Sequence, residues 1–256
     1  MRNVITIFRK ELRSYFSSPI AYAVIGVFAL LAGVFYYSSV AYFVDMGARA
    51  QMMGRGMPMN VNEVVIRPVL MNLSVIALFA IPAITMRLFA EEKRAGTIEL
   101  LVTSPIRDME IVLGKWLAAT VLFATMLAVS ALNVAVLFLY GKPDLPPILT
   151  GYLGLLLQGA ALIAVGTFIS NTTRNQIVAF IVTLGASLLL WIVDWTSGID
   201  PTAKWSKVTA YLSVVNHLEP FAKGVLDSKD VIFFVTLAFL GLFLAARSLE
   251  SLRWRS

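Results

Sequence analysis

The sequence predicts an all-α integral membrane protein with six transmembrane helices, and three observations carry that prediction. Of 256 residues, 59% are apolar and 14% charged, with a mean hydropathy of +0.81. An average soluble domain is about 25% charged, so a water-facing surface cannot be assembled around this much apolar material. The apolar residues also fall into long charge-free runs. Finally, the chain has no cysteine and one histidine, His217, which excludes a disulfide scaffold, a thiolate metal site and any centre that needs two imidazoles.

The charge-free runs are Ile20–Val44, Pro68–Met86, Trp116–Gly141, Leu145–Thr173, Asn175–Val193 and Val231–Ala246. A helix needs about 20 apolar residues to cross the hydrocarbon core. The first five runs meet this. The sixth has 16 residues, and Lys229 and Arg247 flank it where their heads can snorkel to the interfaces. Six spans place both termini on one side. With the termini inside, the inner segments hold 13 Lys and Arg against 8 outside, so the expected orientation is N-in, C-in. Basic residues facing anionic lipid account for the net charge of +6. No aromatic RNA-binding motif or zinc-finger spacing is present, so no nucleic-acid partner is expected. The first span is expected to be retained, because 19 residues precede it and it is too long for a signal-peptide core.

Residues 1–18 read as an amphipathic interfacial helix. Val4, Phe8, Leu12 and Tyr15 or Phe16 recur at helical spacing, while Arg2, Arg9, Lys10 and Arg13 load the remaining faces. Such a helix lies in the membrane surface, and Ser18-Pro19 ends it. In the following outer loop, Gln51–Met59 is rich in Met and Gly. Without His or Cys beside them, these methionines read as adaptable apolar filler rather than a copper site. Pro82 inside the second span predicts a kink. Gly26 and Gly33 in the first span, and Gly151, Gly154, Gly159 and Gly166 in the fourth, predict close helix packing.

The outer segment 194–230 is too polar to span as a whole. Within it Val208–Leu218 is charge-free for 11 residues, too short to cross and suited to a re-entrant or interfacial piece. His217 and Glu219 sit at its end. They read either as a proton-sensitive pair or as ordinary interfacial residues, with the second favoured.

Between spans two and three the charge pattern changes. Nine charged residues fall between Arg87 and Glu110. Gly96 suits a helix C-terminus. Thr97 suits the next N-cap, with Glu99 in the first turn, and Ile98, Leu101 and Val102 form an apolar stripe. Ser104-Pro105 reads as a further cap with proline at the first helical position. The segment 87–115 should therefore hold a helix, a break, a short helix of about six residues, another break, and a helix entering span three. A short capped helix with charged flanks suits docking to another protein, and on spacing alone the stretch reads equally as an ordinary solvated loop.

At these residues a resemblance becomes specific. Glu92-Lys-Arg-Ala-Gly96-Thr97-Ile-Glu99-Leu100-Leu101, with Pro105 following, resembles the cytoplasmic signature of the ABC-2 permeases of ATP-binding-cassette transporters. Asp108-Met-Glu-Ile-Val-Leu-Gly114-Lys115 is similar to the family as well. The resemblance implies that Glu91, Glu92, Gly96, Thr97, Glu99, Leu100, Leu101 and Pro105 form or flank a coupling helix that fits a groove on a separate ATPase subunit. Asn216–Asp227 further resembles a subgroup of permeases associated with gliding motility and with nitrous oxide reductase maturation.

The chemistry of energy supply is missing from the chain itself. No Gly-x-x-x-x-Gly-Lys-Ser/Thr occurs, since Gly114-Lys115 precedes Trp116 and Gly141-Lys142 precedes Pro143. A zinc-protease pair of histidines and a Gly-x-Ser-x-Gly elbow are absent too. The reading is a non-catalytic permease subunit, residues 1–256 forming one transmembrane domain, in the cytoplasmic (inner) membrane of a prokaryote. No cofactor is expected in this chain, ATP and Mg2+ being bound by the partner ATPase. The implied partners are that ATPase, a second copy or a related permease, membrane lipid and an accessory protein on the outer side. The alternative is a membrane scaffold that a cassette ATPase moves mechanically without transport. The cargo is not legible in the sequence.

Overall fold

The computed structural model describes residues 2–53, 60–99, 106–141, 143–197 and 204–253, and everything described is helix, turn or loop. The helices are α1 (Arg2–Ser17), α2 (Pro19–Met52), α3 (Arg67–Thr85), α4 (Ala90–Ala95), α5 (Asp108–Tyr140), α6 (Leu145–Thr172), α7 (Gln176–Ser197), α8 (Lys204–Leu212), α9 (Val214–Ala222) and α10 (Ser228–Arg253). A single π-helical turn, Asn62–Ile66, leads into α3. Six stretches are long and apolar enough to cross a membrane, and they fall on α2, α3–α4, α5, α6, α7 and α10.

Each charge-free run falls, to within a residue at its ends, on one of these long helices, and several helices extend past their runs. α2 continues to Met52. α5 begins eight residues before Trp116, because Asp108 and Glu110 occupy its first turn, where the helix dipole favours acids. The short sixth run is the middle of a 26-residue helix, about 39 Å long at the α-helical rise. Pro82 falls one turn before the end of α3, its carbonyl accepting the Met86 N–H at 2.9 Å, and the turn 86–89 follows.

α6 is the hub, touching α3, α4, α5, α7, α9 and α10. Its glycines explain how so many helices reach it. A Cβ on Gly151 would meet Leu70 of α3 at 2.3 Å, one on Gly159 would meet Phe123 of α5 at 2.1 Å, and one on Gly166 would meet Thr85 at 2.5 Å. On α10, a Cβ at Gly241 would sit 2.7 Å from the backbone of Ala164, so α6 and α10 meet nearly backbone to backbone. The expectation fails for the first span. Gly26 and Gly33 have nothing within 4 Å, while α2 rests on the bundle along Ala21, Phe28 and Ala32, flanked by residues such as Val24, Phe35 and Tyr36.

The bundle has two distinct ends. One end carries α1, α4, the start of α5 and the ends of α6 and α10. The other carries the π-helical turn, the α5–α6 turn, α8 and α9. There Asn62 clamps Asp144, its Nδ2 donating to the Asp144 carbonyl at 2.9 Å and its Oδ1 accepting the Asp144 N–H at 3.0 Å. The segment read as one short outer piece is broken in two. Ser213 ends α8 and caps α9, accepting the Asn216 N–H at 3.3 Å. α9 then packs Phe221 into the space left by Gly154 of α6.

Candidate functional site

The end that carries α1 and α4 gathers most of the charged residues marked in the sequence. α4 is placed from α6. Ser170 Oγ accepts the N–H groups of Phe89 at 3.1 Å and Ala90 at 3.2 Å, and donates to the Met86 carbonyl at 3.3 Å. Two donors at the start of α4 are thereby satisfied in a buried place where water cannot serve them. Glu91 and Glu92 lie in the first turn of α4, Lys93 and Arg94 in its last, the arrangement the helix dipole favours.

Gly96 closes α4 as the sequence predicts. Its φ is +72°, in the left-handed region. The Thr97 N–H then reaches back to the Glu92 carbonyl at 3.0 Å, the six-to-one bond of a Schellman ending. The Thr97 hydroxyl also donates to that carbonyl, at 3.4 Å. Ile98 and Glu99 resume helical geometry. Leu100, Leu101 and Pro105, with the rest of the expected short helix, lie outside the described residues.

Glu91 and Glu92 are adjacent in sequence but face opposite ways. Glu91 is exposed and pairs with Arg87 one turn back, at 3.2 Å. Glu92 turns inward to Lys115 of α5, whose Nζ is 2.9 Å from Glu92 Oε1 and 3.1 Å from Glu11 Oε1 of α1. Lys115 is 2% exposed, and its ammonium also lies 5.1 Å from the centre of the Phe89 ring. The exposed Lys10 completes the charge balance at 3.7 Å from Glu11 and 4.0 Å from Glu92. The neighbour of Lys115 makes this possible. A Cβ on Gly114 would lie 2.7 Å from Ile7 of α1, so glycine there lets α1 come close enough for Glu11 to reach the lysine.

A second tie runs to the last span. Lys93 of α4 donates to the Asn171 carbonyl of α6, and the Asn171 amide donates to the Ala245 carbonyl of α10 at 3.0 Å. Thus α4 is fastened to α1, α5, α6 and, through Asn171, α10. Its outward surface is polar and open: Arg94, Ala95, Gly96, Thr97 and Glu99 are all exposed.

The amphipathic character of α1 holds, and Arg2, Arg9, Lys10 and Arg13 are exposed. Its inner face is not free for lipid, however. Ile7 is buried, and Val4, Phe8, Glu11 and Tyr15 are half-buried, with α1 lying along α5. Glu11 was not among the residues the sequence marked, and neither was Lys115 as a site residue. Each had a signal: Glu11 is the one acid among four basic residues in its helix, and Lys115 sits at the mouth of an apolar run beside a glycine.

At the far end, the structure separates His217 from Glu219. Nδ1 of His217 is 2.6 Å from Oδ1 of Asp230, and Nε2 is 2.8 Å from the Tyr211 carbonyl. A carbonyl only accepts, so Nε2 carries a proton. The ring stacks on Phe233 with centres 3.9 Å apart, and both His217 and Asp230 are buried. Glu219 instead pairs with Arg67 at the start of α3 and, at 2.9 Å, with Lys223. The Lys223 hydrogen bond, then the Lys223 and Arg67 charges, hold the Glu219 carboxyl below the usual range against its partial desolvation. These two residues do not form a pair. Among the described residues no cluster of three or more His, Asp or Glu could hold a metal ion.

These features define a multi-pass α-helical membrane protein with an exposed helical element rooted by ion pairs in its spans. The model of the ABC-2 family transporter proteins matches residues 5–223, and the chain belongs to that family. No curated protein matches it.

Proposed function

We propose that this chain is the permease subunit of an ATP-driven exporter, powered by a separate ATPase that docks on the 87–115 segment. Family membership supports a membrane transport component. The observation that carries the finer reading is the Glu11–Lys115–Glu92 cluster. It fastens the signature stretch to both α1 and α5, while Arg94 to Thr97 stay exposed. A load placed on the outer surface of α4 therefore passes directly into membrane helices, since ion-paired, close-packed contacts transmit displacement rather than absorb it.

On this reading α1 and α4 face the cytoplasm of a prokaryote, in accord with the Lys and Arg imbalance. ATP and Mg2+ are bound by the ATPase, and a second copy or a related permease completes the path. The test is co-purification. Gly96→Val with Thr97→Trp should lose the ATPase while insertion and expression persist, and undiminished capture would overturn the docking site. ATP-dependent movement of cargo into vesicles distinguishes an exporter from a mechanical scaffold.

A further inference from the structure

A cavity of about 310 Å3 opens where α1, α2, α3 and α4 converge. Its polar wall includes Glu11, Ser14, Tyr15, Arg87 and Glu91, with Ser17 and Ser18 beside them. A second groove of about 320 Å3 runs between α2 and α3, and it is almost wholly apolar. The two share Ile20, Val24 and Ala83, so the polar chamber leads straight into the apolar groove.

The geometry points to a binding site for one phospholipid with a primary-amine headgroup, a phosphatidylethanolamine, in the leaflet on the side of α1 and α4. Depth is the first argument. The charge-free parts of α2 and α3 begin at Ile20 and end at Met86, directly beside the polar wall. The chamber therefore lies at headgroup level and the groove within the hydrocarbon. Length is the second. The groove follows α2 from Ile20 to Leu31, about 16 Å at the helical rise, close to one leaflet of a ~30 Å core. Val27 and Phe79 on its wall are 60% and 52% exposed, so an acyl chain would cover apolar surface there.

The headgroup chemistry follows from the charges. Arg87 and Glu91 stand side by side at 3.2 Å, and their side chains remain 30% and 50% exposed. A zwitterion matches such a pair, its phosphate meeting the guanidinium and its ammonium the carboxylate. The oxygens of Glu91, Glu11 and Ser14 are acceptors, so an ammonium that carries N–H donors is favoured. A quaternary choline has none and is best held by aromatic rings, of which this wall supplies one, Tyr15.

The site rests on the spans crossing a bilayer and not on ATPase docking, so its test needs no ATP. The full chain is reconstituted in vesicles of equal parts phosphatidylethanolamine, phosphatidylcholine and phosphatidylglycerol, re-extracted in mild detergent, and its retained lipid measured by mass spectrometry. One phosphatidylethanolamine per chain is expected, enriched several-fold over phosphatidylcholine. Arg87→Gln and Glu91→Gln should each bring that enrichment down towards the vesicle ratio. Ala83→Phe should expel the lipid altogether, and Ala80→Phe, on the same groove, gives an independent reading should the first variant not fold. Equal retention of the two lipids, or retention unchanged in the groove variants, overturns the site. So does a copy-to-copy disulfide through Val27→Cys in this cysteine-free chain, which would show a second copy covering the groove.

Discussion

Lys115 and Glu92 lie 23 residues apart in the chain, yet Nζ and Oε1 meet at 2.9 Å around a lysine that is 2% exposed. Breaking a buried ion pair from one side leaves an uncompensated charge, at a cost of about 3–5 kcal/mol. Lys115→Met should fall in that range, lowering the thermal unfolding midpoint of the purified chain, because Glu11 and Glu92 then face each other without their cation. Glu11→Gln should cost distinctly less. It removes one carboxylate while Glu92 still holds Lys115. A Lys115→Met midpoint equal to wild type would refute the cluster.

Gly96 makes a second, local prediction. A β-branched residue at φ +72° is strained by about 1–2 kcal/mol, whereas asparagine tolerates the left-handed region. Gly96→Val should therefore open the end of α4 to proteolysis, and Gly96→Asn should not. A Cβ there meets nothing within 4 Å, so any loss comes from backbone conformation and not from crowding. Equal protease resistance of the two variants would contradict this.

At the other end, Asp230→Ala should cost about 1–3 kcal/mol by stranding the buried His217 Nδ1 without its partner. Glu219→Gln should cost less than about 1 kcal/mol, since its ion pairs are partly exposed. Comparing the two unfolding midpoints decides whether His217 belongs with Asp230 or with the glutamate two residues away.

Glu219 also carries a pH signature. Its carboxyl is held below the usual range by Lys223 and Arg67, so the folded state binds fewer protons there than the unfolded state. The stabilisation is fully present above the ordinary glutamate pKa of about 4.3 and is lost as pH falls through the depressed value. The difference in unfolding midpoint between wild type and Glu219→Gln should be flat from neutrality down to about pH 5 and shrink below about pH 4. A difference that grows on acidification would reverse the sign of the interaction.

The glycines separate two kinds of helix face. Gly241→Leu would drive a side chain into the Ala164 backbone, and overpacking of this kind costs about 1–3 kcal/mol or more. Gly33→Ala faces open space in the chain and should be neutral or stabilising by about 0.5–1 kcal/mol. Melting curves of the two variants, run side by side, should move in opposite directions or leave only the first displaced.

Much of the fold could be read directly. Lipid leaves backbone groups no partner but the helix itself, so a continuous apolar run becomes a spanning helix whatever surrounds it. That is why Ile20–Val44 or Leu145–Thr173 could be placed without coordinates. The ending of α4 at Gly96 was legible for a similar reason, being a property of one residue's φ. The ends of α5 and α10 were less so, because charged residues such as Asp108 and Lys229 stop an apolar run without stopping a helix.

Partnership across the bundle belongs to the tertiary structure. His217 and Glu219 are neighbours in sequence, but two residues along a helix turn the side chain about 200°, so one meets Asp230 inside and the other Arg67 and Lys223 at the rim. Glu91 and Glu92 diverge too, about 100° apart on α4, and Lys115 gains its second carboxylate, Glu11, only because Gly114 lets α1 settle against α5. Gly33 and Gly159 are the same residue in the same kind of span, yet one faces open space and the other the ring of Phe123. The sequence by itself determined where the helices are and which stretch breaks their apolar rule, since lipid solvation acts on each segment alone. Which charge meets which, and which glycine is a contact, depends on how the segments pack together.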